Sequence, residues 1–166
     1  MMNMEHFGQV MSITKMAVLG AGQMGNGITQ VAACAGIEVV MIDIEQEYVD
    51  KGIATIEKSL AKLVSKERMS QGDADAARAR ISTAIERSAC SDVDLVVEAV
   101  PEILDLKLSI FSELDGICKQ DCILATNTSS ISISEIAAAT SRPDKVIGMH
   151  FMNPCLLYTS PSPRDS

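Results

Sequence analysis

Three glycines and an aspartate near the start of the chain have the spacing of a nucleotide-binding site. Gly20, Gly22 and Gly25 form a G-x-G-x-x-G motif between a short apolar run and a segment with helical character. Such glycines allow a tight turn, close approach of the backbone to a pyrophosphate, and close packing of helix on strand. Asp43 ends the next apolar run, where a carboxylate can accept hydrogen bonds from an adenosine ribose. The pattern predicts a dinucleotide site that favours NAD over NADP; the alternative is a glycine turn in another α/β protein.

Charged residues and a histidine are predicted at the carboxyl ends of later strands. Glu98, Glu102 and Lys107 surround the end of the fourth predicted strand, and ligands of open α/β sheets bind beyond that edge. His150 ends the sixth predicted strand, and an imidazole can accept an alcohol proton near neutral pH. The alternatives are ordinary solvated charges and a structural histidine. Two further candidates could hold a reacting oxygen: Ser129 and Asn153.

Composition and charge limit the classes of function. The chain has 166 residues, 47% hydrophobic and 22% charged, which fits about one globular domain. Its net charge of −8 argues against nucleic acid as a partner. No stretch approaches the roughly 18 apolar residues of a membrane span. The five cysteines include no C-x-x-C pair and suggest no metal site, so we expect free thiols in a reducing cytoplasm.

The pattern of apolar runs predicts an α/β fold with three regions. Residues 1–14 are expected to form a flexible leader, 15–154 a Rossmann-type NAD-binding domain, and 155–166 a disordered, non-native tail rich in Ser and Pro. Alternation of strands and helices is typical of a doubly wound, mostly parallel sheet of about six strands. The predicted strands are Lys15 to Leu19, Ile37 to Asp43, Ile81 to Ile85, Leu95 to Ala99, Cys122 to Thr126 and Val146 to His150.

Helical periodicity fills the segments between the strands. One long apolar stripe from Val49 to Leu63, followed by a break at Gly72 and Asp73, predicts a helical hairpin that projects from the sheet. A second amphipathic helix is predicted after Pro101, which suits a first turn, with Ile103 among its inward residues. A short helix is expected to begin at an S-x-x-E capping box, Ser132 and Glu135.

Several stretches of the chain resemble a known enzyme family. GAGQMGNGITQVAA, DLVVEAVPEILDLK, ILATNTSSISISEIA and RPDKVIGMHFMNP resemble the NAD-binding domain of the L-3-hydroxyacyl-CoA dehydrogenases, and most closely the bacterial 3-hydroxybutyryl-CoA dehydrogenases. The resemblance covers residues 13–154, and NTSS together with HFxNP is far more specific than the glycine motif. Met152 stands where that last motif usually has Phe.

The resemblance implies a role for each matched residue. It makes His150 the catalytic base and Ser129 and Asn153 its substrate-orienting neighbours, with Glu102 and Lys107 on the nicotinamide side of the cofactor. The implied reaction is the reversible, NAD-dependent oxidation of an L-3-hydroxyacyl-CoA to the 3-ketoacyl-CoA. The expected cofactor contacts are Gly20, Gly22, Gln23, Met24, Gly25, Asp43, Glu98, Glu102, Lys107 and Asn127.

Coenzyme A contacts are expected on the long predicted helix. Ser59 and Lys66 match positions that touch coenzyme A in the family, and they share one helix face. Lys58, Lys62 and Lys66 form a basic row suited to the coenzyme's phosphates. The alternative is a solvated face paired with Glu57 and Glu67.

After HFMNP the chain departs from the family pattern. The family continues into a helical domain that carries a glutamate for the histidine and forms the dimer, so we expect this chain to be a fragment without that domain and with little activity. A homo-oligomer is expected only of the full-length protein. The alternatives are a non-catalytic NAD-binding module, the dehydrogenase domain of a multifunctional fatty-acid oxidation protein, and a 3-hydroxyisobutyrate or 6-phosphogluconate type dehydrogenase.

Overall fold

Six parallel strands form one sheet: β1 Lys15–Leu19, β2 Glu38–Ile42, β3 Ile81–Ala84, β4 Leu95–Glu98, β5 Ile123–Thr126 and β6 Val146–Gly148. Their order in the sheet is β3-β2-β1-β4-β5-β6. The computed structural model describes residues 12–128 and 131–150. The strand order reverses between β1 and β4, which opens a crevice at the carboxyl edge of the sheet. The predicted doubly wound α/β fold is confirmed, with every strand pair parallel.

Helices cover both faces of the sheet. Alternate residues of each central strand point to opposite faces, so Val18 and Met41 join one core while Ala17 and Val40 join the other. The helices are α1 Gln23–Cys34, α2 Gln46–Ser65, α3 Gln71–Ala79, α4 Leu104–Ile117 and α5 Ile133–Ala137. The first core is covered by α1, α2 and α3, and the second by α4 and α5.

The predicted helical hairpin is present as α2 and α3, with two differences. The break between the helices lies at residues 66–70, and Gly72 is inside α3, because Ser70 caps that helix by accepting a hydrogen bond from the Asp73 amide. The second helix does not project: Ala74 and Ala77 are buried in the core that α1 shares. The turn after α2 places Glu67 at φ 57°, and the amides of Glu67 and Arg68 donate back to α2 carbonyls.

Two expectations about helix starts are wrong in detail. Pro101 does not occupy the first turn of α4, which begins at Leu104, and Ile103 lies outside the core with 55% of its surface exposed. Lys107 is buried on that helix instead. Ser132 does precede α5, but its side chain makes no capping hydrogen bond, so only its carbonyl supports the first turn.

Buried Arg142 holds the C-terminal end of α4. Its Nε lies 2.8 Å from Asp115 Oδ1. Burial would raise the pKa of Asp115, but hydrogen bonds from the Ser141 amide and the Arg142 guanidinium outweigh it and lower that pKa. The other guanidinium nitrogens donate to carbonyls at the end of α4 and in the loop that leads to β5. These carbonyls belong to Asp115, Cys118, Lys119, Gln120 and Cys122.

The cysteines within the described ranges are free. Cys90, Cys118 and Cys122 are buried near one another, and Cys34 is half-buried. Hydrogen bonding to Cys118, together with burial, raises the pKa of the Cys90 and Cys122 thiols. Among residues 12–128 and 131–150, no helix is long and apolar enough to cross a membrane. Most of the predicted leader and the whole predicted tail fall outside these ranges.

Candidate cofactor and active site

The glycine motif forms the turn between β1 and α1. Gly20 has φ +112°, and its amide donates to the Ile42 carbonyl at 2.7 Å. A Cβ on Gly25 would lie 1.8 Å from the Gly20 carbonyl oxygen, so only glycine lets α1 pack this close to the turn. A Cβ on Gly22 would have no atom within 4 Å, which leaves open space above the loop. Gly20 and Gly25 therefore shape the turn, whereas Gly22 keeps the surface of the loop free of side-chain atoms.

The N-terminus of α1 is uncapped. Gly22 at its N-cap offers no side chain, and the first turn contains no acidic residue. The amides of Gln23, Met24 and Gly25 precede the first intrahelical bond, which runs from the Asn26 amide to the Gly22 carbonyl. A helix start with open amides, a positive dipole end and free space fits the pyrophosphate of a dinucleotide.

Asp43 lies just past β2 and anchors this loop. Its Oδ2 accepts a hydrogen bond from the Ala21 amide at 2.8 Å, and its Oδ1 accepts one from the Ile44 amide at 2.7 Å. It does not cap α2, whose N-cap is Glu45. A carboxylate has about four acceptor sites, so two are left for a ribose hydroxyl pair. The side chain proposed to contact the ribose therefore also fixes the glycine-rich loop between β1 and α1 (the phosphate loop).

A cleft of about 540 Å³ opens beside Asp43 at the carboxyl edge of the sheet. Pockets of this size suit small-molecule ligands. Its walls include the Arg87 side chain, whose Nη1 lies 2.6 Å from Glu113 Oε1, and the apolar residues Ile44 and Ile85. Both isoleucines are exposed, at 68% and 47%. Apolar walls next to the Asp43 carboxylate are suited to an adenine ring.

A buried ion pair lies at the ends of β4 and β5. Lys107 Nζ is 3.0 Å from both carboxylate oxygens of Glu98, and neither side chain has exposed surface. Glu98 also accepts hydrogen bonds from the Thr126 hydroxyl at 2.6 Å and the Val100 amide at 2.7 Å. Every oxygen of this buried carboxylate is satisfied, as burial of a charge requires.

Two of the predicted cofactor contacts, Glu98 and Lys107, form this buried pair. Neither side chain has exposed surface in the structure. Glu98 at the end of β4 and Lys107 in the first turn of α4 carry opposite charges, so the two side chains can be buried together as a pair. Glu102 remains partly exposed, at 34%, and its Oε1 lies 2.9 Å from the same Lys107 Nζ.

Hydrogen bonds extend the buried pair to the loop after β5. The Asn127 amide donates to the Glu98 carbonyl at 2.9 Å, and the Asn127 carbonyl accepts from Lys107 Nζ at 3.3 Å. The Thr128 hydroxyl donates to the exposed end of the network, Glu102 Oε2, and accepts from the Ile131 amide. The predicted contacts Glu102 and Asn127 therefore share one network with Lys107.

His150 lies at the same edge of the sheet but not within β6. The strand ends at Gly148, and the Met149 amide still donates to the Thr126 carbonyl at 3.0 Å. His150 is exposed, and within the described part of the chain its ring has no hydrogen-bond or ion-pair partner. Ser129 and Asn153, the other two predicted catalytic residues, lie outside the described residues.

The lysine row follows the outer face of α2. Lys58 and Lys62 are exposed, as is Lys66 at the helix C-cap, while Ser59 is half-buried. The expected alternative of pairing with Glu57 is not observed, because Glu57 Oε2 lies 2.9 Å from Arg78 Nε. No described carboxylate lies within ion-pair distance of the row. In the same ranges, no group of His, Cys, Asp and Glu side chains could hold a metal ion.

Comparison with known proteins assigns the family. Residues 15–159 match the family model described as 3-hydroxyacyl-CoA dehydrogenase, NAD binding domain. The chain belongs to the 3-hydroxyacyl-CoA dehydrogenase family. It is 45% identical over 140 residues to a 3-hydroxybutyryl-CoA dehydrogenase of Clostridioides difficile, covering 84% of this chain and 50% of that protein. The crystal structure of (S)-3-hydroxybutyryl-CoA dehydrogenase PaaH1 from Ralstonia eutropha matches at 47% identity with a TM-score of 0.84, over 86% of this chain and 50% of that one.

More distant relatives include larger proteins. The fatty acid oxidation complex subunit alpha of Psychrobacter arcticus is 39% identical over 150 residues, which cover 90% of this chain and 21% of that protein. The chain spans about half the length of the 3-hydroxybutyryl-CoA dehydrogenases it matches. Because the chain matches the NAD-binding domain of this family, its cofactor is NAD. The amides at the start of α1 that precede the first intrahelical bond fit the pyrophosphate of NAD.

Sequence reasoning missed several residues of the candidate site. Ile44 and Ile85 line the cleft. Ile44 lies two residues after the end of β2 and Ile85 directly follows β3, and an apolar residue just past a strand end was a usable indication. Thr126, the last residue of β5, donates to Glu98, and a hydroxyl at that position was a usable indication. The Arg87–Glu113 pair joins residues 26 apart, which no local pattern predicts.

Proposed function

We propose that this chain supplies the NAD-binding part of an enzyme that oxidises the 3-hydroxyl of a short-chain acyl-CoA and reduces the 3-keto product in reverse. One observation carries the proposal: the open amides of α1 and the exposed imidazole of His150 both follow the carboxyl edge of one parallel sheet. The substrate class rests on relatives named 3-hydroxybutyryl-CoA dehydrogenase at 45 and 46% identity. The four free thiols among the described residues support the proposal of a cytoplasmic location.

His150 is the base in this proposal. Its ring, which has no partner among residues 12–128 and 131–150, accepts the proton of the substrate 3-hydroxyl during oxidation and returns a proton to the ketone oxygen during reduction. Bound NAD supplies the hydride chemistry. Ser129 and Asn153 are proposed to orient the reacting oxygen. Because no described carboxylate holds the His150 ring, we expect the 166-residue chain to bind NADH but to reduce acetoacetyl-CoA slowly.

Asp43 is proposed to select NAD. Its negative charge at the end of β2 opposes a 2′-phosphate, and the next residues, Ile44 and Glu45, offer no positive charge to receive one. The lysine row on α2 is proposed to receive the phosphates of coenzyme A. Its support is three exposed ammonium groups without a carboxylate partner in the described ranges, one helical turn apart.

Cofactor titration and turnover test these roles together. We expect NADH to bind at least about tenfold more tightly than NADPH in a fluorescence titration, a difference of about 1.4 kcal/mol. Asp43→Asn keeps an oxygen for the Ala21 amide but removes the charge, so it should reduce the difference in affinity between NADH and NADPH. NADH consumption with acetoacetyl-CoA is lost in His150→Gln. Equal affinity for both cofactors in the unaltered chain, or turnover indifferent to His150→Gln, contradicts the assignment.

A matched pair of variants tests the coenzyme A site. The double change Lys58→Ser and Lys62→Ser should weaken acetoacetyl-CoA binding in calorimetry while leaving NADH binding unchanged. Lys145→Ser, which removes one cation at the opposite edge of the sheet just before β6, serves as the control. Equal effects of both sets on acetoacetyl-CoA would mean that net charge, and not the row, attracts the ligand.

A second candidate is the dehydrogenase part of a multifunctional fatty-acid oxidation protein. The match to the Psychrobacter arcticus subunit favours it, and the higher identity to the separate 3-hydroxybutyryl-CoA dehydrogenases favours the first proposal. Turnover that depends on His150 would argue against a non-catalytic NAD-binding module.

A further inference from the structure

Glu98 is a fully buried carboxylate whose two oxygens both accept hydrogen bonds. It accepts two hydrogen bonds from Lys107 Nζ, one from the Thr126 hydroxyl and one from the Val100 amide, and it has no exposed surface. A side chain with this environment cannot touch a ligand. It can only act through the groups it holds.

The groups held by Glu98 lead to the surface of the site. Lys107 uses its remaining hydrogen-bonding capacity on the Asn127 carbonyl and on Glu102, whose other carboxylate oxygen accepts from the Thr128 hydroxyl. The main chain of Asn127 is thus held on both sides, by Lys107 and by the Glu98 carbonyl. Two of the predicted cofactor contacts, Glu102 and Asn127, take their positions from one buried pair.

This network serves one half of the dinucleotide site. The phosphate loop, Asp43 and the apolar cleft belong to the half built on β1, β2 and β3, whereas Glu98 and its partners belong to β4, β5 and α4. Doubly wound domains bind one mononucleotide on each half. With Asp43 assigned to the adenosine ribose, the second half receives the nicotinamide mononucleotide.

We propose that Glu98 is a positioning residue for the nicotinamide half of the site: it fixes Lys107 and, through it, sets the places of Glu102, Asn127 and Thr128. The inference rests on the proposed function, because it assumes that NAD occupies the crevice. Removing the Glu98 charge leaves the Lys107 ammonium buried without its main partner, so Lys107 and the loop it holds must rearrange toward water. The adenosine half keeps all of its own contacts.

The test compares two ligands on the unaltered 166-residue chain and its variants. ADP occupies the adenosine half and the pyrophosphate site, and NADH occupies both halves. In calorimetric titrations, Glu98→Gln should weaken NADH binding by about tenfold or more, the scale of one lost charged hydrogen bond, while ADP binding changes by less than about twofold.

Two other substitutions keep the test decisive if Glu98→Gln does not fold. Thr126→Val is isosteric and removes only the hydroxyl that donates to Glu98, so it should weaken NADH binding to a smaller extent and spare ADP. Thr126→Ser retains the hydroxyl and should restore NADH binding. Asp115→Asn removes a paired carboxylate at the far end of the same helix α4 and should leave the ratio of NADH to ADP affinity unchanged.

The outcomes separate the two proposals. Loss of NADH affinity with ADP affinity retained supports the positioning role. Parallel losses for NADH and ADP, or no loss for NADH in both Glu98→Gln and Thr126→Val, would overturn it and leave the proposed function standing. Failure of the unaltered chain to bind NADH at all would overturn both.

Discussion

Replacement of Gly25 by alanine should damage both folding and cofactor binding. The added Cβ would lie 1.8 Å from the Gly20 carbonyl oxygen and 2.5 Å from its carbon, and both are backbone atoms without rotamers to relieve the clash. The separation must grow from 1.8 Å to at least the 3.4 Å of an ordinary van der Waals contact. Overpacking of this kind costs about 1–3 kcal/mol, more than the roughly 1 kcal/mol that alanine gains over glycine in a helix.

Gly22→Ala is the informative contrast. Gly22 has φ −72°, which any residue adopts, and a Cβ there meets nothing within 4 Å. We therefore expect the folding free energy of this variant to match the unaltered chain within about 0.5 kcal/mol. Its methyl group would occupy the space reserved for the pyrophosphate, so NADH affinity should fall by about tenfold or more. Gly116→Ala, at an exposed and open position in the last turn of α4, controls for the glycine change itself.

Urea denaturation and NADH titration of the three variants provide the assay. The urea midpoint of Gly25→Ala should fall by about 1 M, from a loss near 2 kcal/mol and a slope near 2 kcal/mol/M. Gly22→Ala should lose NADH binding without that shift, and Gly116→Ala should lose neither. Unchanged NADH affinity in Gly22→Ala would refute the placement of the pyrophosphate on this loop, and an unchanged midpoint in Gly25→Ala would refute the packing geometry.

Two further predictions concern stability. Glu67 follows the C-cap of α2 at φ 57°, its amide donates to the Val64 carbonyl, and the Arg68 amide donates to the Leu63 carbonyl. Because glycine adopts this left-handed conformation without strain, Glu67→Gly should raise the free energy of unfolding by up to about 1 kcal/mol in urea melts. Glu67→Ala keeps the strain and should not raise it. Burial would raise the pKa of Asp94, but hydrogen bonds from Lys119, Thr14 and Lys15 outweigh it and lower the pKa to about 2. The folded pKa lies below the unfolded value near 3.9, so this carboxylate stabilises the fold above pH 4 and its contribution disappears between pH 4 and 2. After screening by solvent the loss is about 1–2 kcal/mol, and pH-dependent melts of Asp94→Asn should show a flatter acid limb; an identical limb would contradict the assignment.

The fold could be predicted because local patterns agree with it. Each buried parallel strand is an apolar run, and the glycine motif marks the turn from β1 to α1, so six strands and their order of succession follow from periodicity. The helix starts were harder. Helix α3 begins directly after its N-cap Ser70 and not after Gly72, because a capping hydroxyl decides a helix start more strongly than a glycine two residues later.

The sequence predicts the residue types of the candidate site but not how deeply each side chain is buried. Position at a strand end suggested that Glu98 and Lys107 face the crevice, and only three-dimensional packing shows that they neutralise each other beneath it. Asp43 illustrates the same limit, because its bond to the Ala21 amide joins residues 22 apart. Spacing along the chain predicts which groups gather at an edge, whereas partner choice depends on contacts between separate elements.

Helix α4 is clamped by a buried cation at each extremity, Lys107 near its start and Arg142 beneath its finish. A shift of α4 by one residue along its axis would separate both cations from their partners, so sliding of this helix is unfavourable. Any shear or closing movement that accompanies ligand capture must then be taken up by other segments, with α4 as the fixed reference.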